Sequence, residues 1–418
     1  MPDLELAFDV KWLPLDAGDP RERTTFGSLT IMAGHDRIPI TEVDDAIART
    51  VRPDIRVPIV PLAQWLVVNW WRLRWEARWA APERLPSAWL RAHSMASVSA
   101  DRAENIRDVA AVRYLRDVDL CIPADHFERA IDGFLAGLDE RIASVAPGDR
   151  DITELIAELH EERGDPRLAR ACKLQALAGF DPGMAPTNWL RCATSLADEA
   201  GTTGDEVVAV VPMLRDGIAG AGDAIDAMKR STIEVRLAAD VAFSAGAARE
   251  LPWQRGRRLA AQFRSARGVG DGPVPTKLLE EWLEVHLPLA ASTGVKDRGL
   301  TGGYRNGSAK GRTRVVITTS RVDNQRFYLG RLIGAALVSS PNDHVFPVTN
   351  AGTAFQKFER SFAQELFCPW AALDDYTDEH GTDEEGIAAA AGKGNPAARI
   401  SQQRSRQDRD RRRRHHAR

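Results

Sequence analysis

The chain has 418 residues, 44% hydrophobic and 28% charged, which allows two or three domains with cores of their own. Its longest apolar run, Trp65 to Trp71, is interrupted by Asn69 and falls far short of the ~20 residues a membrane span needs, so no transmembrane helix is expected. The formal net charge of −3 hides an uneven distribution: Arg404 to Arg418 holds eight Arg against Asp408 and Asp410, leaving an acidic body and excluding a protein that coats nucleic acid uniformly.

The N-terminal MPDLELAFDV has acidic residues and no basic segment leading into an apolar one. It does not read as a signal peptide, and the cytoplasm is the expected location. LELAFDVKWLPL and FGSLTIMAG alternate as strands do, and Gly18-Asp19-Pro20 separates them as a turn. After Pro61 the period becomes helical. Leu62, Leu66, Trp70, Leu73 and Ala77 share a face, Trp65, Trp71, Trp75 and Trp79 widen it, and Arg72, Arg74 and Arg78 line the rest. Five Trp in fifteen residues suit either a stacking surface for a ligand or a core helix under a small sheet, and burial favours the second. DHFERAIDGFLAGLDERIASV predicts another helix, with Phe127, Ala130, Ile131, Phe134, Leu135 and Leu138 on one face and Pro123 ahead of it. It is expected to close an N-terminal α+β domain, 1–148.

From Asp151 to Ala247 the pattern is helical, with no convincing strand, and predicts a connecting domain over 149–250. Thr203-Gly204-Asp205-Glu206 and Ser231-Thr232-Ile233-Glu234 both fit a capping box, in which hydroxyl and carboxylate each satisfy an orphan amide at a helix start. GFDPGMAP, Gly179 to Pro186, breaks two helices. Cys121, Cys172, Cys192 and Cys368 form no CxxC pair, which argues against a disulfide framework and a structural zinc site; they are expected to be small buried residues.

From Pro252 the order of elements becomes specific. QRGRRLAAQFRSARG predicts a helix with Leu259, Phe263 and Ala266 inward, and PVPTKLLEEWLEV a second with Leu278, Leu279, Trp282 and Leu283 apolar. RGVGDGP joins them as a turn. TGGYRNGSAKG is a Gly-rich, hairpin-like connection that lacks the GxxxxGK[ST] spacing of a phosphate loop. The strand RTRVVITTS follows, then the helix RFYLGRLIGAAL (Arg326 to Leu337), a loop ending near Pro347, and the helix TAFQKFERSFAQELFCPWAAL.

This order resembles the ImmA/IrrE family of metallopeptidase-like proteins over about Pro252 to Asp375. In that family a helix of the form R-F-x-L-x-His-Glu-x-G-His precedes one ending F-A-x-E-L-L-x-P. Arg326, Phe327, Leu329 and Gly334 match the first, and Phe362, Ala363, Glu365, Leu366 and Pro369 the second. The patterning predicts a mostly helical α+β protein, and the resemblance implies that its third domain, 251–385, is zincin-like with a small sheet. Zinc catalysis needs two His one turn apart, a carboxylate as base and a third ligand from the next helix. In this register Arg331, Leu332 and Ala335 stand for ligand, base and ligand, and Phe358 for the third ligand, with Glu359 about 100° further around the helix.

No catalytic residue and no cofactor are therefore expected. Arg331, with Glu359 or Glu365 on the following helix, is the candidate binding group, either an internal ion pair or a reader of a carboxylate or phosphate. His344, Asp343 and His286 lie nearby in sequence without a recognised ligand spacing. The resemblance implies a regulatory pseudo-metallopeptidase that binds a protein partner, repressor- or antitoxin-like, in stress, mobile-element or phage-defence settings. The alternatives are an active zinc endopeptidase with a non-standard ligand set and a nucleic-acid-binding regulator using the Arg-rich tail. That tail, 386–418, is low in complexity and expected to be disordered, and its composition changes abruptly at Gly392, as a shifted reading frame would produce.

Overall fold

Alternation of apolar and polar residues makes Leu6–Trp12 (β1) a strand with Leu6, Phe8, Val10 and Trp12 turned inward. The computed structural model describes residues 6–16, 18–33, 36–37, 43–45, 49–52, 54–75, 88–94, 97–102, 112–114, 120–146, 148, 150–237, 250–270, 272–292, 299–305, 312–340, 343–370 and 372. The chain divides into two units, Met1–Arg191 and Cys192–Arg418. Both mix helix with antiparallel sheet, so the protein is α+β. Among the described residues no helix is long and apolar enough to cross a membrane.

In the first unit the predicted turn is a short helix, Pro20–Thr24 (α1), because Asp19 accepts the Glu22 N–H and Pro20 pre-sets the first helical φ. Phe26–Ala33 (β2) returns antiparallel to β1 with Phe8 opposite Ile31. Asp36–Arg37 (β3) pairs with the end of β2. Val43–Asp45 (β4) and Thr50–Arg52 (β5) pair with each other, and Ile55–Pro58 (β6) pairs with the start of β2.

Ile59–Val68 (α2) and Trp70–Trp75 (α3) occupy the Trp-rich segment, which is two helices where the periodicity predicts one. The break falls at Asn69, which leaves the helical φ/ψ region and whose side-chain amide joins its own backbone N–H on Trp65 O, at 2.8 and 3.0 Å. Trp70 and Trp71 are buried, Trp65 and Trp75 pack against the same core, and Trp70 stacks on Phe127 with ring centroids 5.8 Å apart. The indole N–H of Trp71 donates to Glu162 at 2.7 Å, so its one polar atom is satisfied inside. These rings belong to a core. Trp79, Arg78 and Ala77 lie outside the described residues.

Ala88–Ser94 (β7), Ser97–Arg102 (β8), Val112–Tyr114 (β9) and Leu120–Pro123 (β10) form two further small sheets, ordered β10-β8-β7 and β5-β4-β9. Ala124–Val145 (α4) buries Phe127, Ile131, Phe134, Leu135 and Leu138, as its spacing predicts. The domain does not close near Gly148. Asp151–Gly164 (α5) contributes Ile152, Ile156 and Leu159 to that core, and Pro166–Leu177 (α6) contributes Cys172 and Ala176. A 3.6-residue period cannot reveal which core a helix joins, hence the misplaced boundary. The division of the chain falls within Thr187–Ala200 (α7), on which Cys192 is exposed and not buried as expected.

The second unit continues with Gly204–Val210 (α8), Gly217–Arg230 (α9) and the strand Glu234–Arg236 (β11). β11 lies where no strand is expected. Ser231 starts no helix; its backbone is extended, its hydroxyl donates to Val315 O at 2.6 Å, and it turns the chain from α9 into β11. Pro252–Ala266 (α10) buries Leu259, Ala260 and Phe263, whereas Ala266 is exposed at its end. Thr276–Leu283 (α11) buries Leu279 and Leu283. Between α10 and α11 the guanidinium of Arg264 donates to the carbonyls of Leu366, Gly270 and Gly272, fixing the Gly-rich turn.

Leu300–Arg305 (β12) absorbs the first half of the Gly-rich connection and pairs antiparallel with Arg312–Val316 (β13). The central helix is Val322–Val338 (α12). Val345–Thr349 (β14) replaces the predicted loop, and Ala354–Phe367 (α13) follows. The sheet runs β11-β13-β12-β14. Pro347 sits within β14 because β14 is an edge strand, where a missing N–H costs no ladder bond.

Two close backbone approaches set this packing. At Gly256 on α10 a Cβ would lie 2.6 Å from Phe358 O on α13. At Gly302, φ +150°, it would lie 2.1 Å from Phe346 O on β14. Gly302→Ala is expected to destabilise the unit by about 1–3 kcal/mol, read as a lowered urea midpoint with unchanged slope. An unchanged midpoint would show that β12 and β14 move apart freely.

Candidate functional site

Helix α12 is buried on every side: each residue from Leu329 to Ala336 is covered. Such a helix is the spine of a unit and not its surface. Its entry is tied down by side chains. The Gln325 amide accepts from Leu289 N and donates to Leu289 O and Thr319 O, each at 2.8 Å. Arg326 donates to Thr276 Oγ1 and Val274 O at 2.8 and 2.5 Å and lies over Phe367. Gly334 lets α12 meet Phe362 of α13 directly.

The motif register can now be followed in space. Leu332 and Ala335 are 1% and 0% exposed and belong to the core shared by α10 to α13. Phe358 joins the same core, near Phe355 and Phe362, with Arg255 over its ring. Arg331 is buried and turns the other way. Its Nη2 donates to Thr349 O at 2.8 Å and to Gln356 Oε1, and meets Glu359 Oε2 at 3.3 Å. Of the two acidic candidates on α13, Glu359 is the one that meets Arg331. Glu365 is not at this place; its carboxylate accepts the Trp370 N–H at 3.2 and 3.3 Å.

Around the Arg331–Glu359 pair lies a buried polar cluster that the motif register does not mark. Gln356 is its hub: Oε1 also accepts the Thr349 N–H at 2.9 Å, and Nε2 donates to Pro347 O at 3.1 Å. Arg360 donates to Thr349 O and Ala351 O at 3.1 and 3.0 Å. Glu206 reaches in from α8 and accepts a hydrogen bond from Thr353 Oγ1, the same hydroxyl that accepts the Gln356 N–H at the start of α13. Thr203 does not complete a capping box with Glu206; its hydroxyl donates to Val345 O at 2.7 Å and Ala200 O at 3.0 Å. A sequence signal did exist, since Thr353-Ala354-Phe355-Gln356 has the Thr-x-x-Gln form of a helix start. The side chain of Gln356 bonds to β14 in place of the cap.

One consequence is a closed sheet edge. The outward groups of β14 at Val345 O, Pro347 O, Thr349 N and Thr349 O are taken by Thr203, Gln356, Arg331 and Arg360. Side chains do here what a further strand would do.

The electrostatics follow from burial. Desolvation pushes Glu206 up to about 7, against the hydrogen bond from Thr353. Desolvation pushes Glu359 up to about 8, with Arg331 opposing and Glu206 reinforcing the rise. Burial, and then Arg331 beside it, hold Arg360 below the usual arginine range.

The four motif positions carry Arg, Leu, Ala and Phe, none of which donates an electron pair to zinc, so they do not fit the metal of the resembled family. Asp343 is buried and accepts from Thr202 N, Thr202 Oγ1 and Ser340 N, which occupies its carboxylate structurally. His344 bonds Arg305 O through Nδ1 and stacks on Tyr304, and His286 is exposed. Among the described residues no group of three or more His, Cys, Asp or Glu is placed to hold a metal. No family model, curated protein or solved structure matches the chain.

Proposed function

We propose that the second unit is an ImmA/IrrE-like domain whose metal centre has been replaced by an internal polar cluster, and that the protein works by binding a protein partner, not by cutting one. The observation that carries this reading is the state of Arg331: at the first ligand's place stands a buried guanidinium committed to Thr349, Gln356 and Glu359. A cation held there repels a metal ion, and Leu332 at the base's place cannot activate water. What the domain retains is its fold and surface, from which a repressor- or antitoxin-like partner would be recognised. That partner class comes from the resemblance and not from any residue of the site.

The test has two readouts. Purified protein equilibrated with zinc and then dialysed is expected to hold far less than one ion per chain, and cells making it are expected to show no new protein N-termini. Stoichiometric zinc that disappears in Glu359→Gln or His344→Ala, together with new N-termini, would establish the peptidase instead.

A further inference from the structure

Glu206 and Glu359 are brought from α8 and α13 into one buried cluster with Arg331 and Arg360, and the cluster is incompletely bonded. Glu359 Oε1 and Arg331 Nε have no hydrogen-bond partner, although Glu359 is 0% exposed and Arg331 3%. An ionised carboxylate oxygen left bare in the interior costs more than a bare neutral hydroxyl. The orphan atom therefore favours a neutral Glu359. Glu206 is fully buried too, held by the neutral Thr353 hydroxyl with the Gln356 amide beside it, and Arg360 is the cation that opposes the rise of its carboxyl.

We propose that Glu206 and Glu359 form a proton-binding latch that holds α8 and the start of α13 against the edge of β14, and that losing its protons loosens this junction. The bonds define the path: Glu206 holds Thr353, Thr353 caps the Gln356 N–H, and Gln356 holds Pro347 and Thr349 of β14. Ionisation places two negative charges in one pocket and draws Arg331 towards Glu359, away from Thr349 O. The charged groups facing the latch are Asp205 on α8, Arg331 on α12 and Arg360 on α13, and the titratable Tyr328 of α12 lies near Arg360. Burial raises both carboxyls, Glu206 to about 7 and Glu359 to about 8, which sets the range. The folded state holds protons that the unfolded chain releases above its ordinary carboxyl range. The stabilisation is thus complete below the ordinary carboxyl range, falls as pH rises above it, and is fully lost once pH has passed through about 7 to about 8. This device goes beyond the partner-binding reading and does not depend on it.

The experiment compares unfolding of the intact chain with that of Glu206→Gln/Glu359→Gln, in which amides imitate the protonated carboxyls. Between about pH 5 and about pH 7 the unfolding constant of the wild type is expected to rise relative to the variant by up to about tenfold per pH unit for each carboxyl, levelling off above about pH 8. Over the same range, protection of the Thr349 and Gln356 amides from hydrogen exchange, corrected for intrinsic rates, is expected to fall in the wild type and stay level in the variant. Parallel pH profiles for the two proteins would overturn the proposal. So would a double variant that fails to fold at every pH, because a neutral cluster would then be incompatible with the native state. The carboxylic-acid carbonyl band in infrared spectra of the wild type at neutral pH, reduced in each single Gln variant, checks the protonated form without unfolding; its absence also overturns the proposal.

Discussion

Leu332→Glu is expected to unfold the second unit under conditions where the wild type is stable. The side chain is 1% exposed and belongs to the core formed by β11, β13, β14 and α10 to α13. The substitution loses the burial of a Leu, about 1.5–3 kcal/mol, and places a carboxylate among apolar groups, with a total above about 4 kcal/mol. Leu332→Met keeps the volume and should cost less than about 1.5 kcal/mol, which separates buried charge from lost shape. The measurement is the urea midpoint of the intact chain by circular dichroism. In the register of the resembled family, the substitution also places a carboxylate at the position of the base. If the Glu variant kept its midpoint, and took up zinc once combined with Arg331→His and Ala335→His, α12 would line an open site and the argument from packing would fail.

Arg331→Leu is expected to cost about 3–5 kcal/mol where Glu359 is ionised, because a buried carboxylate loses its counter-charge. Thr349 O keeps Arg360 and Gln356 Oε1 keeps the Thr349 N–H, so the loss concentrates on Glu359. Its carboxyl, already raised to about 8 by burial, goes higher without Arg331. The penalty should therefore be smaller at acid pH, where Glu359 is neutral in both proteins, and grow as pH rises. Arg331→Leu/Glu359→Leu removes both charges and should recover most of the loss, since an apolar pair of similar volume is often neutral or stabilising by about 1–4 kcal/mol. Unfolding at two pH values for the four proteins completes the cycle. If the two single costs simply added in the double variant, the pair would not be coupled.

The sequence makes the elements legible where a face is continuous and opaque where a contact comes from far along the chain. The strands β1 and β2, the helix α4, and the order of α10, α11, β13, α12 and α13 follow from periodicity and turn residues. The strands β11 and β14 do not. The first is three residues long and hides behind a Ser-x-x-Glu signature, and the second contains a Pro that only its edge position accommodates. Arg331 is legible as a buried-site residue because a motif marks the place. Of its two candidate partners on α13 the structure takes Glu359 and not Glu365, while Phe358, at the third ligand's place in the motif register, turns to the core shared with α10. Glu206 is invisible as part of the cluster, since it lies 147 positions from the Thr353 it meets and its spacing fits a local cap.

The edge of β14 has a bearing on how this protein behaves when crowded. An open strand edge is a template on which identical chains polymerise. Here Pro347 removes one donor, and the bonds from Thr203, Gln356, Arg331 and Arg360 leave a second copy few acceptors to pair with. Polymer growth from this edge would first have to dismantle the cluster. The buried cluster thus also stands between this edge and a second copy of the chain.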